Sequence, residues 1–528
     1  MKKILLMMVA LVATVSISAQ DDEGWSKSFA PVSDKAELGG LCTAVAGDGS
    51  VYASSTYNQA FTFAGKAVTD PEGLTSSCVV KYDKDGAEKW AVSLVGKCKI
   101  YAMTADADGT LYVAGKTEDA KVTVTSSDGA QKEIENPMGM DAFFEEVIAA
   151  NAAFIAKISK DGVVETIKTI APAVNEEIHA ILGDPFDMGM EMSIYDASGN
   201  DASYITPNAI RLDGDKIYVS AAYTGDVAEL GWKGAYLNYF GMMIFDLKSY
   251  GVFSLNKADL SGAASEANVQ VTGTILYDEQ YAPEALDFVV KDGNVFVAFF
   301  GYNKLTLTTP AGSQDFSFEM TDDESGNKEH ALVLANAKEP AKAKVFHAAM
   351  NASSYPVYDL LDAELIGENC ILAGTFYGQF PLDNAISVDE NAAFVASVNM
   401  RECTLNWRYI PNVHAEATCM IVTGEETHLA TAEKKYTLKT ADGKEKDIMD
   451  QGFADASCYN DQFCSTISVD EANVIIFCPK LKPSNVKAAQ DVQNGAVKVY
   501  TLEGIERPAL QKGLNLIKTA EGTQKVLK

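Results

Sequence analysis

Metal binding and covalent catalysis require particular residue types at particular spacings, such as paired histidines or a serine in a G-x-S-x-G motif. The five histidines show neither an H-E-x-x-H motif nor another paired spacing and so predict no metal ligand set; they are His179, His330, His347, His414 and His428. The chain also contains no G-x-S-x-G elbow and no glycine-rich phosphate loop before a helix. These patterns therefore identify no catalytic residue and no cofactor.

Two acidic segments could bind a cation. Asp106 and Asp108 in ADADGT resemble the start of a calcium loop, but Thr117 stands at the twelfth position, where such a loop needs a bidentate Glu. Asp108 is therefore predicted to be a turn residue. The weak candidates for a surface cation site are Asp322, Asp323 and Glu324 in TDDESGN, with an ordinary solvated loop as the alternative.

Carboxylate pairs are the remaining source of acid–base chemistry. The chain has 73 Asp and Glu residues, and glycoside hydrolysis needs two carboxylates only about 5 to 10 Å apart. The sequence does not identify such a pair, because its members would come from separate repeating units. Whether two carboxylates come close enough for catalysis therefore depends on how the strands and loops that carry them are arranged.

Those elements repeat along the chain. A turn followed by an alternating apolar strand recurs as DGSVYAS (48–54), DGTLYVA (108–114), GDKIYVS (214–220), DGNVFVA (292–298), GENCILA (367–373) and GEETHLA (424–430). The central residues, which serve as markers, are Tyr52, Tyr112, Tyr218, Phe296, Ile371 and His428. Gly, Asp and Asn at the joints suit tight hairpin turns.

Each unit contains a second hairpin, as in SCVVKYDKDGAEKWAVSL (77–94) and NAAFVASVNMRECTLNW (391–407). Two hairpins make four antiparallel strands, and such sheets bury both faces by stacking around an axis. The sequence therefore predicts an all-β fold, a β-propeller of six four-stranded blades, or seven if 466–480 begins another. The less favoured alternatives are a series of separate β-sandwich domains and a β-solenoid. GWSKSF (24–29) is predicted to be a terminal strand that closes the ring.

Blocks of the form DGxxYVAG…F…FVAKxxxDGxxxW resemble the β-propeller repeats of secreted bacterial proteins, over roughly residues 40–480. The resemblance implies the propeller architecture and says almost nothing about chemistry. The tryptophan of the pattern is present in two units, as Trp90 and Trp407, and Trp25 matches Trp90.

The N-terminus predicts export. Residues 1–20, MKKILLMMVALVATVSISAQ, combine two lysines, an apolar run too short to span a bilayer and small residues for cleavage, as in a signal peptide. No later stretch has the length of a transmembrane segment. We therefore expect the mature protein at the cell surface, outside the cell or in the periplasm. Export permits disulfides without requiring them, and the one pair to consider is Cys464 with Cys478 on a predicted hairpin. Buried free thiols that pack as small apolar residues are the favoured alternative.

Two insertions and a tail interrupt the repeats. The insertions, 125–150 and 171–207, carry Met138, Met140 and further methionines that suit either an adaptable contact surface or a packed plug. The propeller with these insertions is predicted to occupy 21–485. Residues 486–528 carry a net charge of +3 and resemble a type IX sorting domain in the pattern VYTLEG…KGLNLIKT…QKVLK. That resemblance implies contact with an export machinery; the alternative is a small β appendage.

The net charge argues against two classes of partner. The net charge is −30, from 43 basic and 73 acidic residues, which argues against nucleic acid and against anionic membrane surfaces. The favoured function is a secreted, non-catalytic binding or scaffold protein that holds a glycan, a peptide or a surface protein on one propeller face. The alternative is a carbohydrate-active enzyme with carboxylate acid/base catalysis. Carboxylates clustered with an arginine or tyrosine in an axial pocket would favour the enzyme.

Overall fold

A computed structural model describes most of the repeat region and parts of the tail. The described residues are 24–29, 40–69, 76–136, 138–141, 146–149, 151–172, 194–196, 204–239, 243–262, 268–273, 283–302, 304–317, 328–350, 358–412, 415–431, 434–449, 455–459, 463–470, 473–478, 498–500, 506–507, 514–519 and 522–527. They contain no α-helix, and no helix among them has the length and apolar character needed to cross a bilayer.

The N-terminal strand β1 (Trp25–Phe29) is followed by two blades with their inserted strands. The first blade and its small hairpin comprise β2 (Cys42–Val45), β3 (Val51–Tyr57), β4 (Phe61–Phe63), β5 (Lys66–Val68), β6 (Ser76–Tyr82) and β7 (Glu88–Val95). The second blade and its insertion comprise β8 (Cys98–Ala105), β9 (Leu111–Thr117), β10 (Lys121–Thr125), β11 (Gln131–Glu135), β12 (Met138–Asp141), β13 (Glu146–Ala149), β14 (Ala152–Ile158) and β15 (Val164–Ile170).

Blades 3 and 4 are built in the same way. Blade 3 and its neighbours comprise β16 (Ile194–Asp196), β17 (Ile205–Asp213), β18 (Lys216–Tyr223), a 3-10 turn at Ala228–Leu230, β19 (Ala235–Tyr239), β20 (Met243–Leu247), β21 (Ser249–Asn256) and β22 (Val269–Gly273). Blade 4 comprises β23 (Pro283–Lys291), β24 (Asn294–Tyr302), β25 (Lys304–Thr309), β26 (Gly312–Ser317), β27 (Lys328–Asn336), a 3-10 turn at Pro340–Lys342 and β28 (Lys344–Met350).

The last blades have fewer insertions. Blade 5 comprises β29 (Asp359–Ile366), β30 (Asn369–Phe380), β31 (Asp383–Asn399) and β32 (Thr404–Tyr409). Blade 6 comprises β33 (Ala417–Val422), β34 (Glu426–Thr431), β35 (Lys435–Lys439) and β36 (Glu445–Met449). Blade 7 combines β37 (Asp455–Tyr459), β38 (Phe463–Asp470) and β39 (Asn473–Cys478) with β1, which pairs antiparallel with β39.

The seven sheets close into a ring, so the fold is a β-propeller. The first strands contact one another in the order β2, β8, β17, β23, β29, β33, β37 and back to β2. Each interface between neighbouring blades contains its own cluster of buried apolar side chains. A four-stranded sheet therefore buries both faces only through its two neighbours, as the repeats predict.

Among the described residues the ring contains seven sheets, five of four strands and two widened to six strands by inserted hairpins, where the sequence predicted six blades with seven as the alternative. The sequence pattern assigns NDQFCSTISVDEANVIIF (460–477) to the second hairpin of the sixth unit, but residues 463–478 lie in the extra sheet. That unit instead uses β35 and β36, while 463–478 supplies the second and third strands of blade 7. The difference arises because the seventh unit lacks the turn-and-marker block. Trp25–Phe29 occupies its fourth strand as predicted, pairing from Trp25 opposite Cys478 to Phe29 opposite Val474.

The six markers lie on equivalent strands, which confirms the repeat register. They occupy the second strands of blades 1 to 6, and five of the six are buried, with His428 half-buried. The tyrosine markers also link successive blades: Tyr52 Oη donates to the carbonyl of Gly109 at 2.7 Å, and Tyr112 Oη donates to that of Lys257 at 3.4 Å.

Three tryptophans form a repeated contact, here called the tryptophan latch, between the fourth strand of one blade and a turn of the next. The indole Nε1 of Trp25 donates to Lys84 O at 3.0 Å, that of Trp90 to Lys160 O at 2.9 Å, and that of Trp407 to Thr440 O at 2.9 Å. Each ring covers a turn glycine so closely that a β-carbon would overlap it; the glycines are Gly86, Gly162 and Gly443. The match between Trp25 and Trp90 in sequence therefore reflects a shared role.

Two inserted hairpins extend the blade that precedes their own. The hairpin β10–β11 belongs in sequence to blade 2 but adds to the outer edge of β7 in blade 1. Likewise β25–β26, inserted in blade 4, pairs with β22 of blade 3. The predicted insertion 125–150 thus begins inside a hairpin that widens a blade. Most of 171–207, including its methionines, lies outside the described residues.

Connections of different length leave the two faces of the ring. In an antiparallel sheet, successive connections alternate between the two ends. One face, here called the insertion face, carries the long connections 58–75, 118–151, 171–204, 224–248 and 303–327. The other, the turn face, carries short connections such as 46–50, 106–110, 159–163 and 440–444. Trp25 and Cys478, near the two ends of the ring-forming segment, both lie at the turn face, beside the turn of Lys84.

The tail forms a small sheet of its own. Its strands, in the order β41-β40-β42-β43, are β40 (Lys498–Tyr500), β41 (Glu506–Arg507), β42 (Leu514–Thr519) and β43 (Gly522–Leu527). Among the described residues, none of them pairs with a propeller strand.

Deleting residues 486–528 is expected to leave the thermal midpoint of the ring nearly unchanged, because the described tail strands pair only with one another. The comparison is thermal unfolding of 21–485 against 21–528, followed by circular dichroism. A second truncation, removing 21–29, should lower the midpoint, because it takes the fourth strand from blade 7. Loss of cooperative unfolding in 21–485 would show that the tail belongs to the propeller.

The cysteine pair singled out from the sequence is not opposed in the hairpin. Thr466 lies opposite Phe477 and Asp470 opposite Asn473, a register one residue away from the one that would face Cys464 with Cys478. Cys478 is a buried free thiol, like the six other cysteines whose side chains are described. The considered pairing does not form because a shift of one residue moves a side chain to the other face of a strand, and buried free thiols were the favoured alternative.

Candidate functional site

The first strands of all seven blades surround an axial cavity of about 640 Å³. These strands are mostly apolar, as interior strands of a propeller should be. Charged side chains embedded in them face the axis or pack just behind it. They come from four strands: Arg211 from β17, Asp287 from β23, Asp362 and Glu364 from β29, and Asp455 from β37. We call this set the axial charge cluster.

Arg211 is the centre of the cluster and joins three blades. Its Nη2 donates to Asp362 Oδ1 at 2.9 Å and to the carbonyl of Ala363 at 2.8 Å. Asp287, almost completely buried, places Oδ2 3.9 Å from the same nitrogen. Arg211 Nε is buried and has no hydrogen-bond partner among the described residues. The guanidinium of blade 3 thus holds blades 4 and 5 together through their carboxylates.

Asp455 lies where blade 7 meets blade 1. Its Oδ2 accepts a hydrogen bond from the Thr43 amide at 2.7 Å. The Thr43 and Ser465 hydroxyls are 2.6 Å apart, which adds a second polar contact across the same junction. The side chain therefore contributes to ring closure while it also lines the axial cavity.

The carboxyl groups of the cluster hold their protons more tightly than usual. Burial raises the pKa of Asp287 and of Glu364 to about 7; attraction by Arg211 lowers each pKa, and repulsion by Asp362 raises it. Burial also raises the pKa of Asp455 to about 7, against the lowering effect of the Thr43 amide. Asp362, hydrogen-bonded to Arg211, shows a raised pKa through burial as well. Near neutral pH, Asp287, Glu364 and Asp455 are therefore each only partly ionised.

The residues considered in the sequence fall elsewhere. Asp322, Asp323 and Glu324 lie outside the described residues. Asp108 is a turn residue, as predicted, because its Oδ1 accepts the Thr110 amide at 2.9 Å. Asp48 caps the corresponding turn of blade 1 through the Ser50 amide at 2.8 Å. In the described part of the chain, no group of three or more His, Cys, Asp or Glu side chains could hold a metal ion.

His428 is a packed strand residue. Its Nδ1 lies 3.1 Å from Thr437 Oγ1 on the neighbouring strand. Burial lowers its pKa to about 4, and Lys435 lowers it further while Glu426 raises it. The imidazole is therefore neutral at physiological pH and lies outside the axial cavity.

Sequence reasoning missed the axial charge cluster. The signal was present in the first strand of several units, where a charge interrupts an apolar run: NAIRLD, EALDFVV and LLDAELI. The first strands of a propeller line the axis, so charged residues in the first strands of different units come close together there. Asp287 and Asp362 occupy equivalent positions in adjacent blades. Asp287 lies two residues before Val289, which pairs with the marker Phe296, and Asp362 lies two residues before Glu364, which pairs with the marker Ile371.

Comparisons with known proteins concern the fold. No protein-family model matches the chain, and no curated protein matches it. Three of the similar solved structures are the Cps50 (Swd1) β-propeller domain of Myceliophteria thermophila, BamB from Moraxella catarrhalis and the Dos1 propeller. The first is 7% identical and covers 86% of this chain and 99% of its own, with a TM-score of 0.35.

The BamB structure is 10% identical, covers 80% of this chain and 98% of its own, and has a TM-score of 0.35. The Dos1 propeller is 10% identical, covers 86% of this chain and 95% of its own, and has a TM-score of 0.40. Similarities of this size carry no information about what the chain binds.

Proposed function

We propose that the chain is an exported, non-catalytic binding or scaffold protein that holds a glycan, a peptide or another surface protein on its insertion face. The observation that carries the proposal is the grouping of the long connections on one face of the ring. Loops displayed by a rigid scaffold are where proteins most often place recognition. The β-propeller supplies such a scaffold.

The composition of the insertions supports contact with a partner. Residues 125–150 and 171–207 combine methionines and aromatics with acidic residues. Methionine adapts its shape to different surfaces, and aromatic residues supply contact area. The turn face offers less for recognition, because its side chains cap their own turns, as Asp48 and Asp108 do.

Export is part of the proposal. The signal-like segment 1–20 precedes the first described strand, which begins at Trp25, so cleavage near residue 20 would remove no part of blade 7. The resemblance of 486–528 to a sorting domain supports delivery to the cell surface by an export machinery. Both inferences rest on sequence features, and the fold is compatible with them.

The test compares capture by three forms of the mature chain, residues 21–528. In the first variant, residues 138–149 are replaced by a short Gly/Ser linker, which removes the β12–β13 hairpin of the insertion face. The matched control carries Asp85→Ser and Lys444→Ser, which change exposed residues of the turn face. Each form is incubated with a glycan array and with extracted surface proteins.

We expect the wild type and the turn-face control to capture the same ligand and the hairpin variant to lose at least tenfold in affinity. All three proteins should show the same cooperative unfolding transition. Equal affinity in the hairpin variant, or loss only in the turn-face control, would contradict recognition through this hairpin.

A second candidate function is carbohydrate chemistry with carboxylate acid/base catalysis. The axial charge cluster favours it, because Asp287 and Asp362 both approach one nitrogen of Arg211. Their nearest oxygens are therefore at most about 7 Å apart, an upper limit that permits the separation of about 5 to 10 Å that glycosidases use. Turnover of an oligosaccharide panel that is abolished by Asp362→Asn would support this function over binding alone, and no turnover by the wild type would exclude that panel.

A further inference from the structure

The axial cavity contains more negative than positive groups. Arg211 is the only Lys, Arg or His side chain among the described residues that line it. Asp362, Glu364 and Asp455 line the same cavity, and Asp287 packs behind Arg211. With every carboxyl ionised, one cation would face four anions.

The neighbouring strands supply little compensation. β2 and β33 contribute the buried thiols of Cys42 and Cys419, and β8 contributes Asp106, which is paired with Lys257. Burial and Asp455 raise the pKa of the Cys42 thiol, and the positive charge of Lys99 on β8 lowers it. Because like charges in a partly enclosed space disfavour each other's ionisation, the fold must hold protons on some of these carboxyls or accept repulsion among them.

We propose that the axial charge cluster is a pH-sensitive switch: the closed ring takes up protons on its axial carboxyls, and their release as the pH rises loosens the contacts among blades 3, 4, 5 and 7. The proposal is independent of what the insertion face binds. It rests on the placement of one arginine and four carboxyls around a common axis.

The raised pKa values set the direction and the window. Asp287 and Asp455 titrate near 3.8 when unperturbed and near 7 in the folded ring, and Glu364 moves from 4.5 to about 7. A carboxyl whose folded pKa is raised stabilises the folded state below the unfolded pKa, and this contribution disappears as the pH rises through the folded pKa. The ring should therefore lose stability from about pH 4 to about pH 7.

The experiment measures the thermal midpoint of the mature chain from pH 5 to pH 9 at constant ionic strength. We expect the wild-type midpoint to fall by about 4 °C between pH 5.5 and pH 8.5. Asp455→Asn and Glu364→Gln should each reduce that fall, since neither amide titrates. Asp442→Asn, at an exposed turn carboxyl with a lowered pKa, is the matched control and should leave the fall unchanged.

A second measurement separates the switch from a general effect of pH. Calorimetric unfolding at pH 6.5 in buffers of different ionisation enthalpy reports the protons released when the ring opens. The wild type should release more than one proton, and the Asp455→Asn/Glu364→Gln double variant should release fewer. A midpoint that is flat or rises toward pH 8.5, or an equal proton release by all forms, would overturn the proposal.

Discussion

Replacing Arg211 with methionine is expected to destabilise the ring by about 3–5 kcal/mol at pH 8, because it leaves buried carboxylates without their counterion. Asp362 loses its hydrogen bond to Nη2, and Asp287 loses the positive charge 3.9 Å away. Methionine keeps most of the apolar stem of the side chain, so packing changes little. The measurement is urea unfolding of the wild type and the variant at pH 8 and pH 5.5.

The cost of Arg211→Met should shrink at pH 5.5. Without the guanidinium, the pKa values of Asp287, Asp362 and Glu364 rise further, and protonated carboxyls need no counterion. Arg211→Lys is the matched variant: it keeps the charge but not the two-acceptor geometry, and it should cost less than methionine at pH 8. An equal cost at both pH values would mean that Arg211 acts through packing alone.

Replacing Gly443 with alanine is expected to cost about 3 kcal/mol, because the added β-carbon would displace the Trp407 ring and break the tryptophan latch. The Trp407 indole would lose its contact with the turn and its hydrogen bond to Thr440 O. Gly443 also has φ +66°, a conformation that disfavours alanine by about 1–2 kcal/mol. The measurement is denaturant unfolding, with tryptophan fluorescence reporting the environment of the ring.

The matched control is Gly367→Ala. Gly367 has φ +63°, and no atom would lie within 4 Å of an added β-carbon. This substitution carries the backbone cost alone, so the difference between the two variants measures the latch. Equal losses of stability would show that the indole contributes nothing beyond the turn conformation.

The sequence predicted the repeating strand pattern because it is local. A turn of Gly and Asp followed by alternating apolar residues specifies a hairpin wherever it occurs, and the markers from Tyr52 to His428 fell on equivalent strands. The number of sheets was harder to predict, because β38 and β39 lack the turn block that identified the other units. Their assignment to a seventh sheet depends on pairing with Trp25–Phe29, which lies far away in sequence.

Non-local pairing also explains the two inserted hairpins. Nothing in Lys121–Glu135 indicates that β10 will pair with β7 of the preceding blade, since an edge strand accepts many sequences. The axial charge cluster was missed for a related reason. Its members are spread from Arg211 to Asp455, and only the order of the blades around the ring brings them together.

The positions of Trp25 and Cys478 at the turn face have a consequence for attachment. A protein held at a point just after Cys478 is held from the turn face, so the strand ends that carry the connections 118–151 and 171–204 lie on the far side of the ring. The same geometry applies on a sensor chip or a bead: coupling at this point, or just before Trp25, places the turn face toward the support.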